Sequence, residues 1–202
     1  MYEQIFILIC LVVALVATLW LYTLKAKKKM KYKVVLVEDQ YVARQLFGLY
    51  LKDSEKYEIV RTLESASGIA EILRNVPVDL ILMDILLDDH SNGMEGAARI
   101  KKERPGIKII AMTSMAEKSW LSRARKTGIE SFWYKESSRE TILDVMDRTM
   151  NGESVYPDHP PRIKLGQSDN LEFTERELEV LRVMTRGMSN SGIAKKLGIS
   201  EN

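Results

Sequence analysis

Six side chains able to do chemistry stand at the ends of short apolar runs. Glu38 and Asp39 follow KVVLV, Asp84 follows DLILM, Thr113 and Ser114 follow IKIIAM, and Lys135 follows SFWY. Singly, each has an ordinary explanation, since acidic residues often cap the next helix and a terminal lysine is usually solvated. If the runs are parallel strands, however, their ends share one edge of a sheet, and three carboxylates, hydroxyls and an ammonium converge there. At an effective dielectric near 20, two like charges about 4 Å apart repel by about 4 kcal/mol. Three carboxylates therefore call for protonation or a cation, and a small hard ion with oxygen ligands, Mg²⁺, suits them. With the charge so offset, one carboxylate could act as a nucleophile toward a phosphoryl group. Asp84 is the candidate, and Lys135 would balance the charge developing on the phosphoryl oxygens.

The elements that must position these groups are legible in the pattern. KVVLVE, YEIVRTL, DLILMD, IKIIAM and ESFWYK read as five strands, and 41–53, 65–75, 93–104, 117–127 and 138–150 read as helices. The unbroken apolar character of the first, third and fourth runs indicates strands buried on both faces. Five alternating strand and helix units predict an α/β fold, a five-stranded doubly wound parallel sheet whose ligands sit at the carboxyl ends of its strands. The turn after the first strand is EDQY. It has no glycine-rich phosphate cradle, which argues against a nucleotide-binding enzyme or phosphohydrolase on a similar sheet.

VVLVEDQ, DLILMDI, IIAMTS and FWYKESS resemble the acidic pair, phosphoacceptor strand, switch hydroxyl and lysine strand of bacterial response-regulator receiver domains, over residues 33–150. The resemblance implies a flavodoxin-like fold and phosphotransfer from a sensor histidine kinase to Asp84. It also implies Mg²⁺ held by Glu38, Asp39, Asp84 and the backbone carbonyl of Leu86, with Thr113 turning toward the phosphate and Lys135 pairing with it. Phe132, three residues before the lysine, matches the switch aromatic and is equally consistent with plain core. On this reading the chain is a phosphoacceptor, with Mg²⁺-dependent self-phosphorylation and dephosphorylation, rather than a turnover enzyme. Two departures stand out. Asp88 replaces the proline usual four residues after the acceptor, with one extra residue before Gly93, and DDH at 88–90 reads as a solvated turn or as outer metal contacts.

Residues 151–170, with three prolines and two glycines, read as a linker. From Leu171 a helical pattern resumes. Thr174 with Glu177 forms a capping box, Leu178, Leu181 and Met184 share a face, and Ser189 caps a second helix whose Ile193, Ala194 and Leu197 face inward. FTERELEVLRVMTRGMSNSGIAKKLGISEN resembles the first two helices of the NarL/FixJ/LuxR-type helix-turn-helix, so 171–202 is expected to be a partial DNA-binding domain whose reading helix would begin after Ser200. The piece has five basic and five acidic residues, and thus no net positive field for phosphates. The expected chain is a fragment of a transcription regulator that binds DNA through the full domain, with homodimerisation favoured by phosphorylation. The alternative is a receiver adaptor that acts through protein contacts alone.

The overall charge of +2 and 46% hydrophobic content point to neither nucleic acid nor membrane, but the distribution is uneven. Ile5 to Leu24 carries no charge, and six lysines fall within residues 25–33. As a helix, twenty residues extend about 30 Å, the thickness of a bilayer's hydrocarbon core. Glu3 precedes the run and lysines follow it, the reverse of a cleaved signal peptide. Residues 1–32 are therefore expected to hold a single membrane span (5–24) with a basic collar, N-terminus outside and receiver in the cytoplasm. Cys10, the only cysteine, excludes an intramolecular disulfide.

Overall fold

A computed structural model describes residues 6, 12–18, 30–87, 92–135, 141–162, 164–165, 168–169, 174–184 and 189–200. Five strands, β1 (Tyr32–Val37), β2 (Tyr57–Leu63), β3 (Leu80–Asp84), β4 (Lys108–Thr113) and β5 (Ser131–Tyr134), form one sheet in the order β2-β1-β3-β4-β5. Every pairing is parallel. The helices between and after them are α1 (Tyr41–Lys52), α2 (Ile69–Asn75), α3 (Gly93–Glu103), α4 (Lys118–Thr127) and α5 (Ile142–Met150). The predicted sheet is thus the observed one.

Strand periodicity divides the core in two. Val35, Val37, Ile81, Met83, Ile109 and Ala111 point to one face and pack with Met94, Ala97 and Ile100 of α3 and Leu121 and Ala124 of α4. Val34, Leu36, Leu80, Leu82, Ile110 and Met112 point to the other and pack with Phe47 and Leu51 of α1 and Ile142, Val145 and Met146 of α5. β1, β3 and β4 are sealed on both faces, which explains their unbroken apolar runs. Helix starts differ from the sequence expectation where polar side chains hold the backbone in turns. α2 begins at Ile69 rather than 65, because the Ser65 hydroxyl accepts the Ser67 amide and the chain turns there. At α5, the Thr141 hydroxyl accepts the Asp144 amide while Asp144 reaches back to the Thr141 amide, a capping box that fixes the start at Ile142.

The segment after α5, expected as the start of a linker, docks on the free edge of β5. The Phe132 amide donates to the Val155 carbonyl at 2.8 Å, and the Val155 amide donates to the Ser131 hydroxyl at 3.1 Å. Val155 is buried, and Tyr156 donates its hydroxyl to the Ile129 carbonyl at 2.8 Å while the Arg125 guanidinium lies 4.4 Å from its ring centre. These contacts make the stretch a strap that covers the sheet edge.

Beyond it, β6 (Lys164–Leu165) and β7 (Ser168–Asp169) form a short antiparallel pair, which the proline-rich composition did not suggest. α6 (Glu175–Met184) and α7 (Asn190–Leu197) follow. Thr174 and Glu177 make the expected capping box, the Ser189 hydroxyl accepts the Gly192 amide, and Gly198 ends α7 at φ +62°. Of the face predicted for α6, Leu181 is half-buried and Met184 is the exception. Val183 is buried and Met184 is 51% exposed, while Ile193 and Ala194 of α7 are buried as expected. Leu197 of α7 is half-buried, and the Arg176 guanidinium donates to its carbonyl.

The expected span over 5–24 lies mostly outside the described residues. Those described, 6 and 12–18, are helical and exposed, and among the described residues no helix is long and apolar enough to cross a membrane. The 88–90 turn and residues 201–202 also lie outside them.

If the strap is structural, Tyr156→Ala should destabilise the fold by about 2 kcal/mol, from lost half-buried ring contacts. Tyr156→Phe should cost about 1 kcal/mol, from the hydrogen bond alone. Urea unfolding of the two variants checks the ranking.

Candidate functional site

Parallel strands bring their carboxyl ends to one edge, and the reversal of strand order lies between β1 and β3, where an open α/β sheet leaves a crevice. Glu38 and Asp39 leave β1 there, and Asp84 ends β3. One carboxylate oxygen from each of the three lies within 4.8 Å of the others. Lys135, just past β5, reaches across Thr113: its Nζ donates to Glu38 Oε2 at 2.5 Å and to Asp84 Oδ2 at 2.8 Å. The other Asp84 oxygen, Oδ1, accepts the Leu86 amide at 3.0 Å. It is thus the amide of Leu86 that meets the acceptor carboxylate. Thr113 is fully buried, its hydroxyl accepting the Met115 amide at 3.1 Å and its carbonyl accepting the Lys135 amide at 2.9 Å. The structure therefore unites Glu38, Asp39, Asp84 and Lys135, with Thr113 on the adjoining strand. Phe132 is buried core, edge-on to Tyr134 with ring centres 5.0 Å apart and 6.2 Å from Tyr156.

Burial governs the electrostatics. Glu38 is fully buried and Asp84 nearly so. Loss of water pushes both carboxyls above their ordinary range, and the charge of Asp84 pushes Glu38 further, while Lys135 pulls both back. Burial would lower the Lys135 ammonium, but Asp84 and Glu38 together outweigh it and hold it raised, so it stays charged. Three carboxylates against one ammonium leave a formal deficit of two charges at a site whose donors are all oxygen. That donor set fits a hard divalent cation such as Mg²⁺ and not a thiolate- or imidazole-seeking metal.

Two positioning residues escaped the sequence reading. Arg44 in α1 donates from Nη1 to the carbonyls of Glu38 (2.9 Å) and Asp39 (2.6 Å) and from Nη2 to Glu64 (2.7 Å), stapling the acidic turn. Nothing in the spacing marks it, because the contact depends on the turn's path. Gly93 opens α3 so close to β3 that a Cβ there would fall 2.0 Å from the Asp84 carbonyl oxygen. Asn92 caps the same helix, accepting the Met94 amide at 2.9 Å. A glycine at a helix's first residue was the available signal.

Comparison with known proteins matches residues 34–147 to the response regulator receiver domain family and residues 171–202 to bacterial regulatory proteins of the luxR family. The chain belongs to the response regulator family. This regulator is 36% identical to the response regulator protein VraR of Staphylococcus epidermidis and of Staphylococcus aureus, over 82% of this chain and 81% of each relative. In fold it is similar to the RcsB response regulator of Salmonella typhimurium (TM-score 0.58, 20% identity, 85% of each chain). It is also similar to a LuxR-family two-component response regulator from Aurantimonas sp. SI85-9A1 (TM-score 0.58, 17% identity, 62% of this chain and 89% of that one). The regulator is thus a two-component response regulator with a receiver and a LuxR-type DNA-binding domain.

Gly93→Ala should destabilise the regulator by about 1–3 kcal/mol, the range for forced overpacking. Gly106→Ala, at a site with no neighbour within 4 Å, should be close to neutral in the same urea titration. The raised carboxyls give a second expectation. The folded state binds more protons than the unfolded chain between the ordinary carboxylate pKa, about 4, and the raised folded values, so stability falls as pH rises through that window. Metal-free Asp84→Asn should therefore be more stable than the parent at neutral pH, with the gap closing on acidification. A more stable parent at neutral pH would show that pairing with Lys135 outweighs burial.

Proposed function

We propose that the regulator accepts a phosphoryl group on Asp84 from a sensor histidine kinase and that residues 5–24 hold it at a membrane, N-terminus outside and receiver in the cytoplasm. The observation that carries the first part is the buried Asp84 carboxylate, bound to Lys135 at 2.8 Å and set beside two further carboxylates at the β1/β3 crevice. In the transfer, one Asp84 oxygen forms a bond to phosphorus as the bond from phosphorus to the kinase's histidine nitrogen breaks, and the electron pair leaves with the imidazole. Lys135 balances negative charge on the phosphoryl oxygens. Thr113, whose hydroxyl accepts from Met115, can still donate its own proton to one of them. Bound by Glu38, Asp39, Asp84 and the Leu86 carbonyl, Mg²⁺ would neutralise charge on the transferring group. The regulator is then a phosphoacceptor rather than a turnover enzyme.

Phosphorylation adds about −1.5 to −2 charge at the site. Its readout is transcription through the LuxR-type domain, with dimerisation as the accompanying change. RcsB has been solved as dimers bound to DNA, which supports both partners. The tether is supported by the uncharged run Ile5 to Leu24 and by residues 12–18, a helical stretch in which Val12, Val13, Leu15 and Val16 are 53–67% exposed.

Incubation with a small phosphodonor and Mg²⁺ should attach one hydroxylamine-labile phosphoryl group, detected by mass spectrometry and lost in Asp84→Ala. An adduct that survives Asp84→Ala would place the nucleophile elsewhere.

A further inference from the structure

The turn that carries Glu38 and Asp39 is not held by a capping side chain. Gln40, which precedes α1, makes no side-chain capping bond, and the first turn of α1 holds no acidic residue. Three successive carbonyls meet one residue instead. Arg44 takes those of Glu38 (2.9 Å) and Asp39 (2.6 Å) on Nη1 and that of Gln40 (3.0 Å) on its backbone amide. Glu38 is wholly buried, so its carbonyl needs a partner inside the protein, and the guanidinium supplies one. Two neighbouring carbonyls converging on one nitrogen fix the peptide between them, and with it the directions in which the Glu38 and Asp39 side chains leave the backbone.

The guanidinium is itself held. Its side chain is only 13% exposed, Nη2 donates to Glu64 in the loop after β2 at 2.7 Å, and the Tyr41 ring centre lies 5.9 Å from Cζ. A positive charge near three carboxylates would, on electrostatics alone, weaken the binding of a cation there. Here Glu64 offsets that charge, and the bonds to the turn go to backbone carbonyls, so what the structure builds is a geometric effect. We propose that Arg44 is a positioning residue: by holding the Glu38 and Asp39 backbone it presets their carboxylates, and so sets the affinity for Mg²⁺ and the rate at which Asp84 is phosphorylated when Mg²⁺ is scarce. The inference rests on the Mg²⁺ and phosphoacceptor readings of the site. Lysine cannot replace Arg44, because a compact ammonium has no planar fork to reach two carbonyls and Glu64 at once.

The test titrates the full chain, in detergent, with Mg²⁺ by isothermal calorimetry and follows phosphorylation by a small phosphodonor across the same Mg²⁺ range. Arg44→Lys, which keeps the charge and loses the fork, should raise the Kd for Mg²⁺ about tenfold, as expected when a group that orients metal ligands is lost. Its phosphorylation should be slow at low Mg²⁺ and reach the parent's rate at saturating Mg²⁺. Glu64→Gln, which loosens the outer end of the guanidinium and leaves the turn contacts in place, should raise the Kd by less. Arg61→Lys, the same exchange at an exposed arginine of β2, should match the parent. Should circular dichroism show Arg44→Lys unfolded, Glu64→Gln carries the test alone. If the parent binds Mg²⁺ and the folded variants bind it equally well, the inference is overturned and the metal reading stands. A rate that stays low in Arg44→Lys at saturating Mg²⁺ also overturns it, since Arg44 would then act on the acceptor or the phosphodonor. If the parent binds no Mg²⁺, the metal reading fails and the inference falls with it.

Discussion

The structure turns on three carboxylates gathered against one ammonium at the edge of a buried sheet. Glu38 and Asp84 have almost no contact with water, and Lys135 is shared between them. Like charges at this spacing cost kilocalories even with generous screening, on the order of 4 kcal/mol for a pair, so the cluster persists only because rigid elements impose it. The imposing elements are β1, β3 and β4, whose side chains from Val34 to Val37, Leu80 to Met83 and Ile109 to Met112 are wholly buried on two faces. Arg44 draws the Glu38 and Asp39 carbonyls into a fixed turn, and the missing side chain of Gly93 lets α3 abut the Asp84 backbone. Stability given up at the site is what leaves it a strong affinity for positive charge and for a group that brings its own counter-ion.

Much of this was legible because the sheet is parallel. Once KVVLV, DLILM, IKIIAM and SFWY are read as strands running the same way, the convergence of Glu38, Asp39, Asp84, Thr113 and Lys135 follows from topology alone. What failed to show depends on approach distances rather than periodicity. Gly93 matters through 2.0 Å of missing space, and Arg44 through backbone carbonyls six and five residues behind it. Proline and glycine at 152–161 give the composition of a linker and do not reveal that Val155 and Tyr156 pack on β5. Val183 rather than Met184 is buried in α6, since a pattern of three apolar residues does not fix a helix's rotation to better than one position.

The strap also defines how the site is joined to the rest of the chain. Asp84 holds the Lys135 ammonium, the Lys135 amide holds the Thr113 carbonyl, and three residues earlier the Phe132 amide holds the Val155 carbonyl. Phe132 itself lies between Tyr134 and the strap's Tyr156. A change in charge at Asp84 therefore acts first on a lysine whose own strand carries the segment leading to the helix-turn-helix. β5 is an edge strand of only four residues, with β4 on one side and the strap on the other, so a shift there displaces fewer neighbouring strands than one in β3.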